Sequence, residues 1–157
     1  MMASFRILRP DDARELAMIH ASVFDTPWSA AALRTELKKP PVLGLAFIDP
    51  AEENRILSFV LFQRALDEAE MLTLATLPTH QKRGYAKTLL KAAFSSLRER
   101  GVAKCLLDVA ADNQGAISLY QKLGFTEDGR RKGYYKRSGA MPADAILMSS
   151  DLTGLSR

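Results

Sequence analysis

The chain has 157 residues, 47% hydrophobic and 25% charged, which excludes disordered and fibrous classes and fits one domain, residues 1–157, with a proper core. A net charge of +4 favours anionic partners only mildly; nucleic acid, a phosphorylated cofactor or simple solubility would each fit. The lone Cys105 rules out an intramolecular disulfide, and with only His20 and His80 beside it no metal site is expected.

Taken in order, residues 5–9 alternate like a strand, Pro10 stops it, and Asp11 or Asp12 can cap a helix reaching about His20. Trp28 and Ser29 open a second helix, with Ser29 as the cap and Leu33 and Leu37 at helical spacing. The β-rich runs 42–48 and 56–63 flank the turn 49–54 and predict a hairpin. Residues 66–70 read as an acidic connection into a strand at 71–77.

The clearest helix follows: Ala86, Leu89, Leu90, Ala93, Phe94 and Leu97 repeat at helical spacing and the pattern ends near Gly101. A strand at 104–110 leads to Asn113, which can cap a short helix carrying Ile117, Leu119, Tyr120 and Leu123 and closed by Gly124. Strands near 125–132 and 143–148 finish the chain. The predicted order is β-α-α-β-β-β-α-β-α-β-β, a mixed α/β sheet with helices packed on its faces.

No segment at the start has the apolar core of a signal peptide, and runs such as 42–48 are far too short to span a bilayer. A cytoplasmic protein in a reducing compartment is the expectation.

The most informative stretch is 73–90, where a strand-like run ends at Pro78, a basic turn follows and a helix begins. Gly84 permits backbone conformations that a Cβ forbids, Ala86 keeps the approach open, and Lys82, Arg83 and Lys87 add cations. Such a turn aims free N–H groups and a positive helix end at one spot, which suits a phosphate. It is neither a P-loop nor a dinucleotide fingerprint, because both glycine patterns are missing.

Gln81-Lys82-Arg83-Gly84-Tyr85-Ala86 resembles the Q/R-x-x-G-x-G/A motif of the GCN5-related N-acetyltransferases, and the order of elements is similar across most of the chain. Leu107-Asp108-Val109, Asn113, and the run from Ala116 through Tyr120 to Leu123-Gly124-Phe125 resemble the acetyl-coenzyme A half of RimI-type ribosomal-protein-alanine N-acetyltransferases. Pro27-Trp28-Ser29, Leu66-Asp67-Glu68-Ala69, Arg130-Arg131, Tyr134-Tyr135 and Asp144-Ala145-Ile146-Leu147-Met148 extend that narrower similarity.

The resemblance implies a mixed sheet of about seven strands, splayed between the fourth and fifth, with helices on both faces. It implies that pantetheine of acetyl-coenzyme A pairs with backbone groups of Leu74, Ala75 and Thr76 in that gap. The pyrophosphate would sit on Lys82, Arg83, Gly84, Tyr85, Ala86 and Lys87, and Asn113 would touch the pantetheine arm. Asp108 would inherit the base position, where the RimI-like pattern has a glutamate, and Tyr120 would protonate the departing thiolate. Asp108 is one methylene shorter than that glutamate, so a water relay is one route and a structural pairing with a Lys or Arg is the alternative.

An α-amine has an ordinary pKa of about 7.7–8.0 and a lysine amine about 10.4, so a modest base suits a protein N-terminus. The expected acceptor is the α-amine of an Ala-starting protein, plausibly ribosomal; a small-molecule amine such as a polyamine, amino acid or aminoglycoside is the alternative. Residues 110–112 and 136–142 depart from the RimI-like pattern on the acceptor side. Asp67, Glu68 and Glu70 could attract a cationic terminus or simply solvate a loop, and Tyr134 and Tyr135 could wall the acceptor site or pack across strands. A nucleic-acid-binding or ligand-sensing module rests only on Lys82, Arg83, Lys87, Lys91, Arg98, Arg100, Arg130, Arg131, Lys132, Lys136 and Arg137, which 18 acidic residues dilute. Cys105 reads as a core residue, not a nucleophile.

Overall fold

The computed structural model describes residues 4–137 and 139–153. Met1, Met2, Ala3, Ser138, the last four residues and the side chains of Lys136, Arg137 and Ala140 lie outside the description. Seven strands form one sheet in the order β1-β2-β3-β4-β5-β7-β6. They are β1 (Ser4–Ile7), β2 (Val42–Asp49), β3 (Arg55–Ala65), β4 (Glu68–Thr76), β5 (Lys104–Ala110), β6 (Thr126–Arg137) and β7 (Ala140–Asp151). The helices are α1 (Ala13–Val23), α2 (Ala30–Lys38), α3 (Tyr85–Glu99) and α4 (Gln114–Lys122). The element order is the one the hydrophobic periods predict.

Two cores lie on opposite faces of the sheet. On one, Leu89, Leu90, Ala93, Phe94 and Leu97 of α3 and Ile117 and Tyr120 of α4 pack on Met71, Cys105, Leu107 and Val109. On the other, Leu16 and Ile19 of α1 and Leu33 of α2 cover Ala46, Ile56, Phe59, Leu61 and Ala75. Burial of these apolar side chains is what holds the helices to the sheet, at about 25 cal/mol for each Å² removed from water.

Several boundaries differ from the sequence reading. The acidic residues 66–70 are not a connection: only Leu66 and Asp67 form a tight turn, with Leu66 at φ 57°, and β4 begins at Glu68. Glu68 and Glu70 are strand residues on the exposed side of β4, alternating with buried Ala69 and Met71. Asp12 does not cap α1 forward. Its carboxylate turns back, accepting from the Arg9 N–H at 2.7 Å and from both terminal nitrogens of Arg6 at 3.0 Å. Ser29 does cap α2, accepting from the Ala32 N–H at 3.0 Å.

β4 and β5 are parallel and share three rungs, Glu68–Lys104, Ala69–Cys105 and Glu70–Leu106. Beyond them the strands part. β4 stays paired to β3 as far as Thr76, and β5 to β7 along its whole length. Directly after the last shared rung, Met71 pairs with Phe62 but Thr73 pairs with Leu61, so Leu72 is an extra residue. A bulge of this kind bends its strand, and here it bends β4 where the gap opens.

His20 braces this region from α1. It is 2% exposed; its Nδ1 accepts the Trp28 backbone N–H at 3.1 Å and its Nε2 lies 2.9 Å from Thr73 Oγ1. Phe24 stacks on the ring at 4.2 Å, with Trp28 and Phe59 further out. Burial pushes the imidazole down to about 4 from the ordinary 6.5. Because the unfolded chain binds this proton below about 6.5 and the folded one only below about 4, His20 stabilises the fold above that window and the contribution is lost as pH falls through it. Denaturant titrations at about pH 7.5 and about pH 4.5 should differ by roughly 2.5 kcal/mol more in the native chain than in His20→Gln.

Candidate active site

The gap between β4 and β5 presents an open strand edge. The Ala75 carbonyl accepts the Ser58 hydroxyl of β3 at 3.1 Å, which turns that carbonyl away from the gap. By strand alternation the carbonyls of Leu74 and Thr76 face the opening. The Thr76 carbonyl already accepts the Gln81 side-chain amide at 3.1 Å. Of the three residues expected to pair with pantetheine, Leu74 is thus the best placed, Thr76 keeps its N–H, and the Ala75 carbonyl is committed to β3.

Past Thr76 the chain makes a one-turn 3₁₀ helix, Pro78–His80, and enters α3 through Gly84. Gly84 has φ 83° and Lys82 φ 61°. The left-handed region is costly for a side chain, and at Gly84 nothing lies within 4 Å of where a Cβ would stand. The turn is therefore open to a ligand, and the first-turn N–H groups of α3 have no intrahelical acceptors. Lys82, Arg83 and Lys87 are exposed around it. Tyr85 is anchored instead: its ring meets Phe47 edge-on at 4.9 Å and His80 at 5.6 Å, which pins the helix start to β2. Here an αL glycine, free N–H groups, the helix dipole and three cations meet, which fits the pyrophosphate of acetyl-coenzyme A.

Asn113 caps α4, its side-chain oxygen accepting from the Ala116 N–H at 3.2 Å. The amide NH₂ remains to donate outward. The cap aims α4 so that Tyr120, almost two full turns beyond Asn113, is buried at 7% exposure with its hydroxyl 3.8 Å from Met71 Sδ. Met71 is the first β4 residue beyond the shared rungs, so the phenol reaches the apex of the gap. Burial, with smaller effects from Tyr135 and Cys105, pushes Tyr120 up to about 12. It holds its proton throughout the physiological range.

Asp108 is half-buried on β5, opposite Leu147 of β7. Its neighbours Leu107 and Val109 belong to the core under α3 and α4, so Asp108 points to the face that α1 and α2 cover. Among the described residues Asp108 has no ion pair or hydrogen bond with a lysine or arginine. Glu70 is exposed on the same face at the last shared rung. Cys105 is fully buried and its thiol is pushed up to about 12 by burial, so it supplies no thiolate.

The structure brings together what the sequence left apart. Ala111 and Asp112, at the end of β5, and Met141, Pro142, Ala143 and Asp144, at the start of β7, line one open depression of about 430 Å³. Ala111, Asp112, Met141 and Pro142 belong to the segments that depart from the RimI-like pattern, whereas Asp144 opens a run that resembles it. The Ala111 N–H donates to the Asp144 carbonyl at 2.8 Å, and the Asp144 carboxylate accepts from the Gly133 N–H at 3.0 Å, which ties both sides of the depression to β6. Tyr134 and Tyr135 meet edge-on at 5.3 Å, and Arg131 lies over the Tyr134 ring. Sequence reasoning missed the His20–Thr73 contact; a histidine on the apolar face of α1, beside Leu16 and Ile19, was the available signal. Among the described residues no group of three His, Cys, Asp or Glu is placed to hold a metal, and no helix is long and apolar enough to cross a membrane.

Residues 12–125 match the model of the acetyltransferase (GNAT) family. The ribosomal protein bS18-alanine N-acetyltransferase of Haemophilus influenzae is 34% identical over 138 residues, covering 88% of this chain and 91% of that protein. The crystal structure of the ribosomal-protein-S18-alanine N-acetyltransferase from Escherichia coli superposes with a TM-score of 0.88 at 29% identity, covering 96% of this chain and 94% of that one. Arabidopsis thaliana NAA60 in complex with acetyl-CoA shares the fold, with a TM-score of 0.86 at 22% identity and 98% and 100% coverage. With the splayed sheet, the αL turn before α3 and the buried tyrosine at the apex, these matches place the chain in the GNAT family, as an acetyl-coenzyme A-dependent N-acetyltransferase.

Proposed function

We propose that the protein acetylates the α-amine of a protein N-terminus, with an Ala-starting ribosomal protein as the first candidate, and that residues 1–157 work as one cytoplasmic domain. The observation that carries the acceptor is the similarity, over nearly the whole chain, to enzymes named for ribosomal protein bS18-alanine. The chemistry agrees with it. An α-amine of pKa about 7.7–8.0 is partly neutral at physiological pH, whereas a lysine amine near 10.4 costs roughly 3.5 kcal/mol more to deprotonate. One short carboxylate at Asp108 suits the easier task.

Acetyl-coenzyme A supplies the activated acetyl group, and transfer is direct, in a ternary complex. The turn at 82–87 and the open edge at Leu74 and Thr76 hold the donor so that its thioester lies at the apex of the gap. Asp108 takes the proton that the amine loses. Tyr120 protonates the departing thiolate: the burial that pushes the phenol up to about 12 raises a thiol in the same surroundings as well, as it does Cys105, so the two are matched for the transfer. It acts as a buried hydrogen-bond donor to the charge that develops on sulfur as the bond breaks. The depression between β5 and β7 would take the acceptor's following residues.

Acetyl transfer to Ala-starting peptides, measured beside ε-amines and polyamines, tests the acceptor. The peptide N-terminus is expected to turn over fastest, and no turnover of any peptide N-terminus would sink this reading. For Tyr120→Phe, kcat should fall by about 10² while the affinity for acetyl-coenzyme A, followed by calorimetry, stays within a few-fold. For Asp108→Asn the loss in kcat should be greatest at low pH, where less of the amine is already neutral, and shrink above the amine's pKa of about 8. A small, pH-independent loss would remove Asp108 from the role of base.

A further inference from the structure

We infer that Thr73, oriented by His20, is a positioning residue for the proton transfer: its hydroxyl and the Asp108 carboxylate hold between them the water that relays the proton from the acceptor amine. The inference rests on the reading of Asp108 as the base.

Three observations lead to it. The first is register. Glu70 and Leu106 form the last shared rung, and Leu72 is the extra residue in β4. Counting on from that rung without the bulged residue, Met71 stands level with Leu107 and Thr73 with Asp108, across the gap. The second is facing. Met71 and Leu107 both lie in the core beneath α3 and α4, whereas Thr73 meets His20 of α1 on the other side. Asp108, next to Leu107, points to that same side. Without the bulge, Thr73 would have faced α3, so the extra residue is what turns the hydroxyl toward the carboxylate's face.

The third observation is the direction of the hydrogens. A backbone N–H can only donate, so the Trp28 N–H at 3.1 Å makes His20 Nδ1 an acceptor. The buried ring is neutral, so its hydrogen is on Nε2 and is donated to Thr73 Oγ1 at 2.9 Å. Thr73 cannot then donate back to His20. Among the described residues its hydroxyl has no other partner, so its hydrogen is left to donate into the widening gap. A single water between Thr73 Oγ1 and the Asp108 carboxylate completes the proposed arrangement.

The step balances. The amine N–H passes its proton to the water oxygen as the nitrogen forms its bond to the acetyl carbon, and the water passes one of its own protons to Asp108. Thr73 donates to the water oxygen throughout and is unchanged. This compensates for the length of Asp108, one methylene shorter than the glutamate of the RimI-like pattern.

The test compares Thr73→Val, Thr73→Ser, Asp108→Asn and the Thr73→Val/Asp108→Asn double variant with saturating acetyl-coenzyme A and an Ala-starting peptide, well below each melting temperature. Thr73→Val should lower kcat by at least about tenfold with KM for acetyl-coenzyme A within about twofold, and Thr73→Ser, which keeps the hydroxyl, should restore it. The double variant should be no slower than Asp108→Asn alone, because the two groups serve one water. An impaired Asp108→Asn beside a native-like Thr73→Val overturns the role of Thr73 and leaves Asp108 as base. Losses that multiply in the double variant, or a Thr73→Ser as slow as Thr73→Val, also overturn it, the latter by showing that packing and not the hydroxyl was needed. A native-like Asp108→Asn overturns both readings together.

Discussion

The separation of β4 from β5 after three rungs is the constraint on which the rest of the molecule turns. Backbone N–H and C=O groups rarely go unpaired inside a protein, and a closed sheet would have spent those of Leu74 and Thr76 on β5. Each strand is instead held by its outer neighbour, β4 by β3 to Thr76 and β5 by β7 to Ala110. The bulge at Leu72 bends β4 at the point of parting, and two separate cores grip the sheet from opposite faces. The gap is thus a stable part of the fold, with a free strand edge for the donor and side chains of both strands along its walls.

Charge is distributed along this gap with one sign at each end. At the wide end Lys82, Arg83 and Lys87 surround the start of α3, where the helix dipole is also positive. On the face toward α1, from the last shared rung onward, the ionisable groups of the two strands are the carboxylates Glu70 and Asp108, while Glu68 and Lys104 pair two residues before it. Between these ends burial keeps the groups neutral: Tyr120 and Cys105 are pushed up to about 12, and His20 down to about 4. On the reading proposed above, a polyanionic donor and a cationic amine are drawn to different ends of one cleft.

How much of this could be read beforehand depended on whether the signal was local. The turn before α3 was legible because its parts are contiguous: Pro78 ends the strand, Gly84 takes a positive φ, and the helical repeat begins at once. The caps at Ser29 and Asn113 were legible for the same reason. Residues 66–70 were misread as a loop because their charges dominate a strand with one solvated face, and Asp12 was misread because Arg6, on the preceding strand, competes for its carboxylate.

By itself the sequence determined the turn into α3 that is proposed as the phosphate cradle, since such a cradle is made by consecutive backbone groups whose conformation a few residues set. Only the tertiary structure decided which residues meet on the side proposed for the acceptor. Thr73 and His20 are 53 residues apart, Tyr120 and Met71 are 49 apart, and the walls of the depression come from β5 and β7. No local preference connects such residues. They meet because one extra residue in β4 changes which face Thr73 presents, and because two cores hold the strands that carry them a fixed distance apart.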